Sequence, residues 1–183
     1  MANCTNIPYS INGLNIACKD SSLGGIKAVY VGGFDEVIVT PKSGSTVADK
    51  NTVTVTMSGS AKLKKYTLLK NSGNLVSEMQ TTDYAAPTFQ NSVVISFAKM
   101  EAKKRNEVMA LLLTPSRVIV EDANGTLFLM GKDNYVEGVA GTGDTGTAGT
   151  DNNHYEITLQ DISAELPFIV EMDMSIVDTT VTA

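Results

Sequence analysis

Tryptophan is absent from this sequence, and histidine and cysteine are almost absent: one histidine and two cysteines occur among 183 residues. His154 is therefore the only side chain that a Ser-His-Asp or Cys-His catalytic site could use as its base. Cys4 and Cys18 are too few for a disulfide framework, and they lack the spacing of metal ligands. These scarcities argue against nucleophilic catalysis, a zinc site and a disulfide-stapled fold.

Long apolar runs and an excess of positive charge are also missing. No run approaches the roughly 20 apolar residues that span a bilayer. The first residues lack the basic and apolar regions of a secretory signal. The sequence therefore predicts a protein made in the cytoplasm without a membrane partner, and its net charge of −6 gives no indication of nucleic-acid binding.

The charges that are present are unevenly placed. Residues 1–120 carry 13 Lys and Arg against 8 Asp and Glu, whereas residues 121–183 carry only Lys132 against 12 acids. A split of this kind predicts two faces of opposite sign. Such faces suit head-to-tail self-association, because unlike patches meet in it. The alternative is a chance bias in composition.

Alternation of apolar and polar residues is the dominant pattern. In residues 88–97, for example, Val93 and Ile95 share one face, while Ser92 and Ser96 take the other. This period of two predicts half-buried, mostly antiparallel strands. Similar alternation or a short apolar run marks the remaining strand candidates: 26–31, 35–40, 51–57, 66–70, 75–82, 117–122, 126–132, 154–160 and 167–177.

Glycine-containing segments separate several of these strand candidates. The segments 31–34 and 70–74 place glycine where a tight turn needs a positive φ, so both are predicted to form hairpins. The pair Asn124-Gly125 is the strongest turn signal, because it favours a type I′ turn between two apolar runs.

Only residues 97–115 have the character of a helix, being rich in Ala, Lys, Glu, Leu and Met. Val108 and Leu111 can share an apolar face there, and Pro115 is expected to end the helix. The whole pattern predicts one mainly β domain over residues 1–183, an antiparallel β-sandwich or barrel with one flanking α-helix. Residues 1–25 or so are expected to form an N-terminal arm.

The stretch from Val136 to His154 is unusually rich in Gly, Thr, Asp and Ala. It is not a phosphate-binding or dinucleotide-binding loop, because no Gly-Lys-Ser/Thr and no helix follow it, and its aspartates are too far apart for a calcium loop. We predict a long flexible loop at about 138–153 that contacts a neighbouring subunit; an ordinary surface loop is the alternative. The contact residues would be Gly141, Gly143, Asp144, Gly146, Gly149 and Asp151.

No other group of residues indicates chemistry. The basic run Lys103-Lys104-Arg105 fits a solvated helix face, and Glu171 and Asp173 fit the polar face of a strand. We therefore predict no enzymatic activity, no catalytic residues, no cofactor and no metal site.

Two stretches resemble a known family. Residues 117–170 contain an Arg-Val-Ile-Val-Glu-Asp strand after the helix, then an Asn-Gly hairpin, "LMGKDN", a Gly/Thr loop and "ELPF". Together with "ACKDSSLGGIKAVYVGGFDEV" at 17–37, this order resembles tail tube proteins of tailed bacteriophages, notably those of phages and prophages of Bacteroidetes.

This resemblance implies a structural virion protein of the phage tail, assembled in the cytoplasm of the bacterial host. Such subunits form rings, usually hexamers, that stack head to tail and bind other tail proteins. Double-stranded DNA passes through the lumen without specific binding, and we expect Glu171 and Asp173 to line that lumen. The alternatives are a tail terminator or neck ring on the same fold and a carbohydrate-binding β-sandwich module.

Overall fold

A computed structural model describes residues 23–68, 71–82 and 85–178. Of the predicted N-terminal arm, residues 1–22 lie outside this described part. The helices are α1 (Val47–Lys50) and α2 (Ala102–Leu113), and a 3-10 turn spans Met174–Ile176. The strands are β1 (Ile26–Gly33), β2 (Val37–Pro41), β3 (Thr52–Met57), β4 (Leu63–Thr67), β5 (Gly73–Thr82), β6 (Ala85–Ala98), β7 (Ser116–Asp122), β8 (Leu127–Met130), β9 (Glu137–Asp144), β10 (His154–Ser163), β11 (Phe168–Met172) and β12 (Val177–Asp178).

The strands form two sheets. The larger sheet has the order β12-β4-β1-β7-β8-β11-β3-β2, in which β11–β3 and β12–β4 are parallel and the other pairs antiparallel. The smaller sheet is fully antiparallel and has the order β5-β6-β10-β9. The predicted mainly β fold with one flanking α-helix is confirmed.

The eight-stranded sheet is curved around a core of its own. Each of its eight strands contributes at least one buried apolar side chain to a single cluster, so the sheet rolls up enough to fill its concave side. The cluster consists of Ala28, Tyr30, Val37, Val53, Val55, Leu63, Ile119, Leu129, Val170 and Val177.

A second core lies between the two sheets and under α2. Successive side chains of a strand point to opposite faces of its sheet. The side chains of β1 and β7 that do not enter the first cluster therefore point towards the four-stranded sheet and join this second core. The cluster consists of Ile26, Val29, Val31, Val93, Ile95, Val108, Leu111, Val118, Val120, Met130, Val136, Ile157 and Leu159.

Helix α2 lies within the predicted segment 97–115 but begins at Ala102, because β6 extends to Ala98. Val108 and Leu111 are its buried residues, and Lys104 lies partly exposed and donates from Nζ to the carbonyl oxygen of Ala98 at 2.6 Å. The helix ends two residues before Pro115, whose ring restricts the helical conformation of the preceding residue. Within the described residues, no helix is long and apolar enough to cross a membrane.

Two of the three predicted hairpins are wrong. The segment 31–34 joins β1 to β2, but these strands pair with other neighbours. Gly32 serves close packing there, because a Cβ at this position would lie 2.5 Å from Cγ2 of Val37. In the segment 70–74, of which Lys70 lies outside the described residues, the chain passes from one sheet to the other.

The third hairpin is confirmed, although its turn is of another type. Asn124 and Gly125 join β7 to β8 as predicted, but only Gly125 has a positive φ, of 87°. A type I′ turn needs a positive φ at both residues. The side chain of Asp122 organises the turn instead, since its Oδ1 accepts from the amides of Asn124 at 2.9 Å and Thr126 at 2.7 Å.

Candidate assembly surface on the four-stranded sheet

The predicted loop at 138–153 is wrong in its first half. Residues up to Asp144 form β9, which pairs antiparallel with β10 from the position of His154 onwards. Only residues 145–153 connect the two strands. The segment is therefore one strand and the turn of a hairpin at the edge of the four-stranded sheet.

The glycines of β9 are explained by the helix that lies on it. A Cβ at Gly138 would come within 2.7 Å of Cα of Leu112, and one at Gly141 would lie 2.8 Å from Cδ1 of the same leucine. A Cβ at Gly143 would lie 2.9 Å from Cε of Met100. A side chain at Gly138 or Gly141 would collide with α2, and one at Gly143 would collide with Met100 before the helix. The sequence alone does not distinguish glycines of this kind from glycines of a flexible loop.

Two aspartates organise the turn at 145–153. Asp144 accepts from the amide of Gly146 at 2.8 Å, and Asp151 accepts through Oδ2 from the amides of Thr147 at 2.9 Å and Ala148 at 2.7 Å. Those two amides lower the pKa of Asp151. Gly146 has a φ of 70°, a conformation that favours glycine.

The far end of the turn is anchored to the connection before α2. The amide of Lys99 donates to the carbonyl oxygen of Asn153 at 2.6 Å, and the amide of Met100 donates to its Oδ1 at 2.8 Å. Gly149 is exposed and has no atom within 4 Å of a Cβ built on it. The turn is hydrogen-bonded at both ends and exposed in its middle.

Both edges of the four-stranded sheet lack a strand partner within the described residues, since β5 pairs only with β6 and β9 only with β10. The amide of Ser96 donates to the carbonyl oxygen of Ser72 at 2.9 Å, so the even-numbered residues of β5 are the ones whose backbone groups bond to β6. The odd-numbered residues of β5 therefore direct their amides and carbonyls away from β6, towards the free edge. The same alternation, followed through the registers of β6 and β10, directs the amides and carbonyls of Gly141 and Gly143 towards the free edge of β9.

The side of this sheet that points away from the core, here called the outer face, is polar. Ser96 donates to Glu156 at 3.1 Å across it, and Gln90 donates to Gln160 at 3.0 Å. No Lys or Arg occurs in any of its four strands. The acids of the outer face and its rim are Glu78, Glu137, Asp144 and Glu156.

Exposed apolar side chains flank both edges. On the β9 side, Val139 is 47 % exposed, and α2 contributes Met109 and Leu113. On the β5 side, Val76 and Met79 are exposed. Free backbone groups bordered by apolar side chains are features of an edge that another strand can join.

Of the two acids predicted to face a lumen, Glu171 lies on the other sheet and Asp173 follows that sheet's strand β11. Glu171 is exposed on β11 and accepts from Lys42 at 2.7 Å, and this hydrogen bond raises the pKa of Lys42. The predicted strand at 167–177 is too long, because β11 ends at Met172. Asp173 caps the following 3-10 turn, accepts from the amide of Ser175 at 2.9 Å, and has its pKa lowered by that bond.

Other titratable groups with shifted pKa values belong to structural contacts. Burial raises the pKa of Tyr30, and so does its 2.5 Å hydrogen bond to Glu121. Burial alone would raise the pKa of Glu121, but the hydrogen bonds from Lys27 and Tyr30 outweigh it, and the pKa is lowered. His154 contacts the carbonyl oxygen of Asn152 at 3.3 Å. No three acids, histidines or cysteines of the described part of the chain form a metal-binding group.

Sequence reasoning missed one buried polar cluster, at the junction of the two sheets. Asp161 is 4 % exposed and accepts from the amide of Gly131 at 3.1 Å, and the buried Asn91 donates to Ser163 at 3.1 Å. Burial raises the pKa of Asp161, and the Gly131 amide opposes that rise. The polar residues at 161 and 163 follow the alternation of β10 inwards, so a strand period extended past Leu159 would have placed them inside.

The chain matches no protein-family model, no curated protein and no solved structure.

Proposed function

We propose that this chain is a tail tube subunit, which assembles into rings through the edges of its four-stranded sheet. The observation that carries the proposal is the pair of unpartnered edges on an even-numbered antiparallel sheet. With four alternating strands, β5 and β9 run in opposite directions. A rotation about an axis along the strands therefore brings the β9 of one copy antiparallel to the β5 of the next.

Repeating this contact continues one sheet through all copies and closes it into a barrel. Closure removes the exposed edges, which otherwise favour uncontrolled aggregation. The contact is heterologous, so it generates a ring when the rotation closes. Val139 and Met109 on one copy would then meet the region of Met79 on the next.

In this arrangement the outer face lines the lumen. Four strands without Lys or Arg, bearing Glu78, Glu137 and Glu156, offer no cationic side chain to a phosphate, and their negative charge repels DNA. The proposal therefore assigns the lumen to the outer face rather than to Glu171, on β11 of the eight-stranded sheet, and Asp173, in the turn that follows β11.

Head-to-tail stacking of rings follows from the hairpins at the two ends of the sheet. Because β5 and β9 run in opposite directions, the turn at 145–153 lies at one end of the strands, and the paired residues Thr82 of β5 and Ala85 of β6 lie at the other. Stacked rings would bring these two ends together. Contact through the turn, including Gly146, Gly149 and Asp151, stays a prediction.

The test is the mass of the purified chain by light scattering across a concentration series, with negative-stain images of the same fractions. Rings or tubes with a central hole are expected; stacked tubes favour the tube subunit, and isolated rings favour a terminator or neck ring. A monomer at every concentration would contradict the proposal.

A matched pair of variants tests which edge is used. Val139→Lys places a charge beside the β9 edge and should abolish assembly. Ile38→Lys alters a side chain of nearly equal exposure, 46 % against 47 %, on the edge of the other sheet and should leave assembly intact. Equal behaviour of the two variants would show that β9 is not the contact.

A further inference from the structure

A groove of about 510 Å³ runs beside β5, where the two sheets meet. Its lining is largely apolar and comes from both sheets, and it includes Leu75 and Phe128. Helix α2 covers β9 and β10 on this same core-facing side, towards the opposite edge of the four-stranded sheet, but no described element lies over the groove. The apolar lining residues include Leu23, Ile26, Leu75, Val120, Phe128 and Leu166.

The described chain begins at the rim of this groove. The amide of Leu23 donates to Oδ1 of Asn124 at 3.1 Å, and Nδ2 of Asn124 donates to the Leu23 carbonyl at 3.1 Å. This reciprocal pair fixes the position of Leu23, the first described residue. Leu23 lies near β5, since Asn74 and Ser77 line the same groove.

The sequence of the segment before Leu23 suits the groove. Ile7, Tyr9 and Ile11 alternate with Pro8 and Ser10, which gives a strand pattern with one apolar face. No Lys, Arg, Asp or Glu occurs before position 19. An uncharged segment can enter an apolar groove without the large free-energy cost of removing a charge from water.

Proline supplies an independent check on the pairing. The outward-directed residues of β5 are the odd-numbered ones, whose side chains face the groove side of the sheet. In an antiparallel partner strand, the residues opposite these would have their side chains in the groove and their amides directed to β5. If Ile7, Tyr9 and Ile11 hold those places, the nitrogen of Pro8 faces solvent, where no donor is needed.

We propose that residues 7–11 of this chain add to β5 as an antiparallel strand, with Ile7, Tyr9 and Ile11 seated in the groove. The added strand does not depend on the proposed function, and only the consequence of this strand for ring assembly rests on it. The same edge is the one that a neighbour's β9 would join, so the added strand closes it in the free chain and must leave before a ring forms.

Hydrogen exchange of the free chain, followed residue by residue by NMR, tests this strand. The sample is held at a concentration where light scattering shows a monomer, so the outcome does not depend on ring formation. In the native chain, the amides of Leu75, Ser77 and Met79 should be protected. Tyr9→Asp should speed their exchange at least about tenfold, whereas Ser10→Asp, on the solvent side of the same segment, should leave it unchanged.

Exchange at Asn74 and Val76, whose amides already pair with β6, monitors the fold in each variant. Should Tyr9→Asp also expose these, Tyr9→Ser replaces it as the milder change. The proposal is overturned if Leu75, Ser77 and Met79 exchange freely in the native chain, or equally in both variants. It is also overturned if their protection rises with concentration, because a second copy would then be the occupant.

Discussion

The two sheets of this protein differ in how completely they are satisfied. The eight-stranded sheet fills its own concave side with side chains from all its strands, and ion pairs such as Lys27–Glu121 and Lys64–Asp178 cross its surface. The four-stranded sheet buries one face only and carries no cation in its strands. Within the described residues both sheets have unpaired edges, but those of the four-stranded sheet run along longer strands, β5 and β9, than β2 and β12.

This difference separates the part of the molecule that maintains the fold from the part available to a partner. Both cores depend on the eight-stranded sheet, because one lies inside it and the other lies against it. The four-stranded sheet contributes one layer to the second core, and no other described element covers its outer face or pairs with its edges. Substitutions should therefore affect stability mainly in the first sheet and association mainly in the second.

The largest expected effect compares a core residue of the first sheet with an outer-face residue of the second. Leu63 is 0 % exposed, so Leu63→Ala removes buried contacts and leaves a cavity. We expect it to lower the free energy of unfolding by about 3 kcal/mol. Ile162, at 51 % exposure, should lose less than about 0.5 kcal/mol on change to Ala. Urea denaturation measures both, and similar losses would refute the division.

The next effect tests whether the β9 glycines are packing residues. Gly138→Ala would push a Cβ against the backbone of Leu112, and we expect a loss of about 2 kcal/mol in the free energy of unfolding. Gly149→Ala, at a position with open space, should change it by less than about 0.5 kcal/mol. Comparable losses at both positions would mean that α2 does not rest on β9.

The smallest effect concerns pH at the junction of the sheets. The pKa of Asp161 is raised above 3.8, so the folded chain holds this proton more tightly than the unfolded chain. The contribution of this protonated carboxyl group to the stability of the fold is fully present below pH 3.8 and is lost as pH rises through the raised pKa. Asp161→Asn should therefore flatten the decline in stability across that range. Thermal unfolding over a pH series checks this.

Asp151 provides a control of opposite sign. The amides of Ala148 and Thr147 lower its pKa below 3.8, so its contribution is present above pH 3.8 and is lost as pH falls. Asp151→Asn should remove part of the loss at acid pH. The interpretation fails if both substitutions alter the pH profile in the same direction.

Local patterns in the sequence predicted much of the fold. Alternation in 88–97 placed Val93 and Ile95 in the core, and helix-forming residues located α2. Strand order was not predictable, because the segments 31–34 and 70–74 have hairpin composition yet join strands that do not pair. Pairing partners depend on long-range packing rather than on the turn residues alone.

The assembly surface was harder to foresee. Glycine at 138 and 141 gives the same local signal in a flexible loop and in a strand covered by a helix, and only the position of Leu112 distinguishes the two. Glu171 and Asp173 belong to an acid-rich region, but the sequence does not tell which sheet that region joins. Once the strands are assigned to sheets, the absence of Lys and Arg from all four strands of the smaller sheet becomes visible.

The central claim is that the β9 edge of one copy pairs with β5 of the next, and hydrogen exchange within assembled particles tests it most directly. The amides of Gly141 and Gly143 point to the free edge, whereas that of Thr142 already pairs with β10. Assembly should protect the two glycine amides and leave Thr142 unchanged, when exchange is quenched and read after dissociation. Particles in which Gly141 and Gly143 exchange as fast as in the free chain would contradict the claim.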